Sequence, residues 1–331
     1  MKFTSIFSKI FFYVSAFTAL ISANTLAAET VAVYTAAPQK LIDTLVPAFE
    51  KQSGIKVEIV KAGSGELLNR LRAEKGRQTA DVIWSVGGEL VDFNKELFVN
   101  YTPKDDDKIN PQLRPSQTWL PFTAIVSVFL VNNQQMKGAD VPKSWADLTK
   151  SAYKGKISSA RADKSGSSYI QLATVLQIYG NNDKGWDTYK NIMANMVLSN
   201  SSGAVPRFVN DGEAAVGITL EDAALRYKLG GGPVEIVYPS DGTSLVPDAM
   251  ALVANGPNPS AGKQFLDYMI SKDAQSSVAA IGRRPVRIDV ESVKELTPLN
   301  QIKTIEYDLL WAVENKKQLV GRWSDTLLDV Q

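Results

Sequence analysis

The chain has neither cysteine nor histidine among its 331 residues. The absence of cysteine excludes disulfide bonds and thiol chemistry, and the absence of histidine removes the commonest general base and the commonest transition-metal ligand. A Ser-His-Asp or Cys-His hydrolase therefore cannot be built from this sequence. An excess of one charge is also lacking, because 36 basic and 35 acidic side chains leave a net charge of +1. The balance gives no electrostatic argument for nucleic acid or an anionic membrane as a partner.

The N-terminal stretch has the features of a secretory signal peptide. Lys2 and Lys9 give it a positive start, and residues 10–21 form an apolar run. Small residues follow this run and lead to Ala27 and Ala28, either of which can end the signal peptide. An apolar run of this length is too short for a bilayer-spanning helix, which needs about 20 residues. We therefore expect a cleaved, exported protein that works in the periplasm without a membrane anchor.

The rest of the chain alternates between strand and helix patterns. Strands are expected at 31–35, 55–60 and 80–84, with a helix in each interval between them. This βαβαβ order predicts an α/β fold in which helices flank a mostly parallel sheet. A second unit of the same kind starts at 156–160. The sequence therefore predicts two α/β lobes.

The chain is expected to leave the first lobe near Phe129 and to return to it near Ala251. A ligand cleft is expected between the lobes, because ligands of open α/β sheets bind at the carboxyl ends of the strands. The predicted parts are a signal peptide at 1–28, lobe 1 at 29–128 together with 252–331, and lobe 2 at 129–251.

Three segments rich in serine and glycine stand just ahead of predicted helices. They are Gly63-Ser64-Gly65, Ser165-Gly166-Ser167-Ser168 and Ser201-Ser202-Gly203. Free backbone N–H groups at a helix start, together with serine hydroxyls, can hold an anion, and glycine lets a ligand approach the backbone closely. Serine and glycine also simply cap helices, so each segment taken alone has a structural explanation. Three of them in one two-lobed chain indicate an anion site in the cleft.

Other side chains allow both a binding role and a structural role. Glu221 and Asp222 follow a predicted strand and could accept hydrogen bonds from ligand hydroxyls or an amine, or could match the helix dipole. Trp84, at a predicted strand end, could stack on a ligand or fill the core. Arg161 and Arg207 could pair with an anion or lie on the surface.

Catalysis is the least favoured function. The segment 151–154, Ser-Ala-Tyr-Lys, matches the S-x-x-K motif of penicillin-recognising enzymes, but the K-T-G companion is missing and 240–242 only resembles S-D-N. A glycosidase would need two carboxylates placed across a cleft, and no such pair stands out at the predicted strand ends. We expect no enzyme activity and no cofactor, with a secreted hydrolase kept as the remote alternative.

An ordered set of motifs carries a resemblance to a known family. The motifs are the opening strand and helix, Ser64-Gly65-Glu66-Leu67, Ala80-Asp81-Val82, the segment 142–148, Ser165-Gly166-Ser167, Ser202-Gly203 and the segment 211–217. The predicted mature chain resembles the periplasmic substrate-binding proteins of ABC importers, in the branch that binds ferric iron, hexose phosphate or 2-aminoethylphosphonate. The resemblance implies a type II fold of two α/β lobes with a hinge of crossing strands, capture by lobe closure, and an inner-membrane permease with its ATPase as partners. We expect a monomer.

The resemblance also bears on the ligand. The iron binders of this branch hold Fe(III) with a histidine, a glutamate and two adjacent tyrosines, and the matching positions here are Pro38, Gly65 and Asp222-Ala223. The same relatives bind a phosphate through a Ser-Gly loop, which matches 165–167 with 202–203 opposite it. The resemblance therefore implies that the anion half of the site is kept and that no metal site remains.

The leading hypothesis is capture of a small phosphorylated organic molecule such as a hexose phosphate. The residues expected at the phosphate are Ser165, Gly166, Ser167, Ser202 and Gly203. Those expected at the organic end are Thr35, Ser64, Gly65, Trp84, Glu221 and Asp222. Two alternatives stay open, namely 2-aminoethylphosphonate with its amine paired to an acid, and Fe(III) held through a bridging anion.

Overall fold

The computed structural model describes residues 29–114 and 116–330, so the predicted signal peptide lies outside the described residues. These residues form eleven strands: β1 Thr30–Thr35, β2 Lys56–Lys61, β3 Val82–Gly87, β4 Phe98–Val99, β5 Leu120–Asn132, β6 Ile157–Ala160, β7 Met196–Ser199, β8 Val216–Leu220, β9 Val234–Val237, β10 Leu245–Val253 and β11 Arg284–Pro285. They also form eleven α-helices: α1 Gln39–Ser53, α2 Ser64–Ala73, α3 Gly88–Phe93, α4 Gly166–Tyr179, α5 Asp183–Met193, α6 Ala204–Asn210, α7 Glu221–Leu229, α8 Pro259–Ile270, α9 Lys272–Ala280, α10 Leu309–Glu314 and α11 Lys316–Val330.

Two parallel groups of strands are joined by antiparallel ones. In lobe 1, β1 pairs in parallel with β2 and with β3. In lobe 2, β6 pairs in parallel with β7 and with β8. The whole order is β2-β1-β3-β10-β5-β8-β6-β7, with β11 and β9 also paired to β5 and β4 paired to β10. Each parallel group places its carboxyl ends at one edge, which is where ligands of such sheets bind.

Strand β5 belongs to both lobes. Its first part, residues 120–126, pairs with β10, and β11 pairs with it at residues 123 and 124. Its second part, residues 127–132, pairs with β8 and β9. Thirteen consecutive residues thus run from one half of the sheet into the other, as a strand that crosses between lobes must do.

Helices cover both faces of the sheet in each lobe, because every strand group buries apolar side chains on its two sides. In lobe 1, one core contains the buried faces of α1, α8 and α9, including an edge-to-face pair of Phe49 and Phe265 with ring centroids 5.2 Å apart. The opposite face is covered by α2 and α3, which bury Leu67, Leu68 and Val91. In lobe 2, α4 and α5 cover one face, and α6 and α7 cover the other.

The two C-terminal helices pack differently from the sequence expectation. Leu319, Trp323 and Leu327 of α11 and Ala312 of α10 are buried in the core of α4 and α5, which belongs to lobe 2. Leu309, at the start of α10, packs against the core beneath α2 and α3 in lobe 1. The expectation that residues 252–331 all belong to lobe 1 is therefore wrong for this final segment. Helical periodicity shows which face is buried but not which lobe receives it.

In the part of the chain that the structure describes, no helix combines the length and the apolar character that crossing a bilayer requires.

Candidate ligand-binding site

The start of α4 offers unpaired backbone donors. Ser165 is the N-cap, and its Oγ accepts a hydrogen bond from the amide of Ser168 at 3.3 Å. The amides of Gly166 and Ser167 have no acceptor among the residues that the structure describes. The space where a Cβ of Gly166 would lie is open. An anion could therefore approach these two amides at the positive end of the helix dipole.

Two lysines of α11 stand beside this helix start. A cavity of about 320 Å³ is lined by residues 162–166 together with Lys316, Lys317 and Val320 of α11. The Lys316 ammonium lies 5.2 Å from the centre of the Tyr169 ring. Sequence reasoning missed both lysines, because nothing in the pattern of α11 shows that its start would meet the start of α4.

The same cavity contains one acid, Asp163. The guanidinium of Arg161 donates to its carboxylate at 2.9 and 2.8 Å. These hydrogen bonds from Arg161 hold the pKa of Asp163 below its usual value. Arg161, considered as an anion partner, is thus engaged with a neighbouring carboxylate.

The segment after β7 lies beside the segment after β6. The two strands are parallel neighbours, and the amide of Arg161 donates to the carbonyl of Ser199 at 2.9 Å. Ser202 is half-buried and Gly203 is exposed just ahead of α6. The structure therefore brings the starts of α4 and α6 to one edge of lobe 2. Arg207, on α6, forms exposed ion pairs with nearby acids.

Two residues predicted for the organic end are structural. Thr35 is fully buried, with its Oγ1 donating to the carbonyl of Trp84 at 2.9 Å and accepting from the amide of Ala37 at 3.0 Å. Trp84 is also fully buried, in the middle of β3, with edge-to-face contacts to Phe122 and Phe265 at 5.3 and 5.8 Å. The expectation that Thr35 and Trp84 contact a ligand finds no support in their placement, because the strand runs past Trp84 and both side chains are buried.

Ser64 and Gly65, at the start of α2, remain accessible to a ligand. Ser64 is half-buried and Gly65 is exposed, and the space beside Gly65 is open. Their role in binding stays a prediction.

Glu221 is occupied by protein partners. It is only 3% exposed, and the guanidinium of Arg284 donates to its two oxygens, each at 2.6 Å. The hydroxyl of Tyr238 donates to it as well. Burial, and then the nearby charge of Glu221, raise the pKa of Tyr238 well above its usual value, so the phenol remains a donor. The expectation that Glu221 binds a ligand finds no support in this placement, because three hydrogen bonds from protein donors already engage its buried carboxylate.

Asp222, the next residue, takes part in a different network. Arg283 donates from Nε to Asp222 at 3.0 Å and from Nη1 to Thr123 Oγ1 at 3.1 Å and to Asp248 at 3.4 Å. Asp248 also accepts from the hydroxyl of Ser85 at 2.6 Å. Sequence reasoning missed Arg283 and Asp248, although a carboxylate inside the apolar pattern of β10 was a usable signal.

A second cavity of about 320 Å³ lies between the lobes. Its lining includes Pro38 and Leu41 from lobe 1, Asp222 and Leu225 from α7 in lobe 2, and Arg283. Among the described residues, no group of three or more His, Cys, Asp or Glu side chains is arranged to hold a metal ion. The charged side chains that line this cavity are one acid, Asp222, and three cations, Lys40, Arg226 and Arg283, beside apolar groups.

Comparison with known proteins identifies the class of this chain. Residues 77–310 match the family model for bacterial extracellular solute-binding proteins. The chain belongs to this family. Membership confirms the predicted class of ABC-importer binding proteins, whose members bind solutes rather than catalyse reactions, and it implies a permease with its ATPase as partners and a small molecule as ligand.

Individual relatives differ in what they bind. A candidate 2-aminoethylphosphonate-binding periplasmic protein of Salmonella typhimurium is 26% identical over 250 residues, 73% of each chain. The periplasmic binding protein AfuA of Actinobacillus pleuropneumoniae, with fructose 6-phosphate bound, is 24% identical with a TM-score of 0.80, over 90% of this chain and 98% of AfuA. Iron-bound HitA of Pseudomonas aeruginosa is 21% identical with a TM-score of 0.79, over 89% and 99%. The structural likeness confirms the predicted type II fold.

Proposed function

We propose that this solute-binding protein captures a small phosphorylated organic molecule, such as a hexose phosphate, between its lobes and delivers it to the permease in the periplasm. Lobe closure would then follow from contacts that the ligand makes with both lobes at once, because such a ligand binds the closed form more tightly than the open form.

The start of α4 is the observation that carries this proposal. The free amides of Gly166 and Ser167 and the ammonium groups of Lys316 and Lys317 offer backbone and charged donors around one cavity. A phosphate group carries several acceptor oxygens and more than one negative charge, so it can use all of them together. Ser202 and Gly203 stay proposed contacts from the neighbouring segment.

The organic end is proposed to face Ser64, Gly65 and Asp222. The second candidate, 2-aminoethylphosphonate, stays in consideration because its phosphonate group can use the same donors at α4. The Fe(III) alternative is weakened at Asp222. Asp222 already accepts from the Arg283 guanidinium at 3.0 Å, and that positive charge would repel a bound cation.

Calorimetric titration of the purified protein tests the proposal. The titrants are fructose 6-phosphate, glucose 6-phosphate, 2-aminoethylphosphonate and ferric citrate, with unphosphorylated fructose and glucose as matched controls. We expect a hexose phosphate to bind at least about a hundredfold more tightly than its parent sugar, because the charged hydrogen bonds at α4 would be lost. Equal affinity for the sugar with and without phosphate would contradict the proposal.

A further inference from the structure

A guanidinium and a carboxylate stand side by side on the wall of the cavity between the lobes. Arg283 and Asp222 both line this cavity, and their side chains are 12% and 28% exposed. Arg283 precedes β11, which pairs with lobe 1, whereas Asp222 lies in the first turn of α7 in lobe 2. The pair therefore joins the two lobes and presents both a donor and an acceptor to the cavity.

Hydrogen bonds to Thr123 and Asp248 fix the orientation of the Arg283 guanidinium. Its Nη1 donates to Thr123 Oγ1 and to Asp248, and Asp248 in turn accepts from the amide and the hydroxyl of Thr123, each at 2.7 Å. In the described part of the chain, Nη2 of Arg283 has no hydrogen-bond acceptor. Protein acceptors thus hold Nε and Nη1 of the guanidinium, and Nη2 remains available to donate to a ligand.

Backbone strain at Ser85 supports the same positioning of Arg283 through Asp248. Ser85 has a φ of +57°, a left-handed conformation that is uncommon for residues other than glycine. It lies where the pairing of β3 with β10 shifts register, and its hydroxyl donates to Asp248 at 2.6 Å. Ser85 therefore positions the carboxylate of Asp248, and Asp248 positions Arg283. Such an arrangement is expected where a side chain must be oriented before a ligand binds.

We infer that Arg283 and Asp222 recognise neighbouring hydroxyl groups of the ligand and so determine its class as a polyol phosphate. Asp222 accepts from one hydroxyl while Arg283 donates to the oxygen of the next. An ammonium group fits this place poorly, because the carboxylate is already paired and a guanidinium lies beside it. The inference rests on the proposed function, and it selects a sugar phosphate over an aminoalkylphosphonate.

Calorimetry on the full mature protein tests this pair with fructose 6-phosphate, inorganic phosphate and 2-aminoethylphosphonate. The variants are Asp222→Asn, which keeps the shape of the side chain, and Arg283→Lys, which keeps its charge. The matched control is Arg70→Gln, which removes an exposed arginine paired to Glu74 on α2. Thermal unfolding and circular dichroism of each variant check that it is folded.

We expect each variant to lose about tenfold to a hundredfold in affinity for fructose 6-phosphate, as for one charged hydrogen bond, and to keep its affinity for inorganic phosphate within about twofold. Arg70→Gln should match the wild type for both. A purely structural role would weaken both ligands equally, and that result would overturn the inference.

Three further outcomes separate the inference from the proposed function. If the wild type binds fructose 6-phosphate and both variants bind it equally well, the inference is wrong and the proposed function stands. If the wild type prefers 2-aminoethylphosphonate, the polyol assignment is wrong while an anion site at α4 remains. If the wild type binds neither organic compound, the proposed function and the inference both fail.

Discussion

Two helices of lobe 2 begin at the same edge of the sheet yet use that position in opposite ways. The start of α4, after β6, has a serine cap, free amides and exposed lysines nearby. The start of α7, after β8, has two acids that are paired with arginines from outside the lobe. The difference teaches that a helix start in an α/β lobe can offer free donors to an anion or can form a charged link to another lobe, depending on the few residues at its first turn.

The two helix starts also differ in how their charges are solvated. Lys316 and Lys317 are exposed, so their attraction for an anion is open to screening by salt. Glu221 and Arg284 are 4% and 3% exposed in their side chains, and each relies on the other for the interactions that water no longer provides. Removing a charge should therefore affect binding at α4, and should affect folding at the buried Glu221–Arg284 pair of α7.

The largest expected effect comes from breaking the buried pair at α7. Replacement of Glu221 by Ala leaves Arg284 buried without its partner, which costs about 3–5 kcal/mol of unfolding free energy. Urea denaturation monitored by circular dichroism measures the loss. The control is Glu235→Ala, which removes an exposed pair with Lys228 and should cost no more than about 1 kcal/mol. Equal losses of unfolding free energy in the two variants would show that the buried pair at α7 stabilises the fold no more than an exposed pair does.

The next effect should appear at α4 and should leave folding intact. The double variant Lys316→Gln with Lys317→Gln should weaken fructose 6-phosphate binding about tenfold at low salt, because two cations are lost from the cavity. Its dependence on sodium chloride should also be shallower. Lys137→Gln, at an exposed lysine of lobe 2, is the matched control and should bind like the wild type. An unchanged salt dependence in the double variant would contradict a role for these lysines.

A smaller effect is expected from removing the cap of α4. Ser165→Ala loses the hydrogen bond to the amide of Ser168, which should lower the unfolding free energy by about 1 kcal/mol. Ser271 caps α9 in the same way, with its Oγ accepting from the amide of Ala274. Ser271→Ala should therefore lower the unfolding free energy by a similar amount. Only the change at Ser165 should also weaken phosphate binding. Calorimetry that found the same binding change in both variants would argue against the anion site.

The smallest effect concerns pH. The hydrogen bonds from Arg161 keep the pKa of Asp163 below its unfolded value, so the ionised form stabilises the folded state above the unfolded pKa. That contribution is lost as pH falls through the folded pKa, and it should be below about 1 kcal/mol because the pair is near the surface. The unfolding free energy of Asp163→Asn should therefore decline less between pH 5 and about pH 2 than that of the wild type. Parallel curves would contradict this coupling.

Secondary structure was predictable because burial imposes its periodicity on the sequence. The first strand was predicted at 31–35 and lies at Thr30–Thr35, and the helix predicted between the first two strands lies at Gln39–Ser53. The fate of Trp84 was not predictable in the same way. Its strand was expected to stop there, but β3 continues to Gly87 and carries the ring into the core. A side chain at a strand end can reach a ligand, whereas one in the middle of a covered strand cannot.

Glu221 and Asp222 show more clearly that sequence alone could not place the site residues. Glu221 and Asp222 had equal standing as ligand contacts, since both follow one strand and start one helix. The structure buries the first against Arg284 and leaves the second at the cavity with Arg283. Both arginines are more than sixty residues further along the chain. No local pattern can report a partner at that separation.

The sequence by itself determined the α/β class, the alternation of strands and helices, and the serine cap at α4, because each of these depends on neighbours within a few residues. Only the tertiary structure decided that α11 would bring two lysines to α4, and that Arg283 rather than Trp84 would face the cavity. The physical reason is that capping and periodicity act locally, whereas a binding cavity depends on which distant segments the packed core brings together.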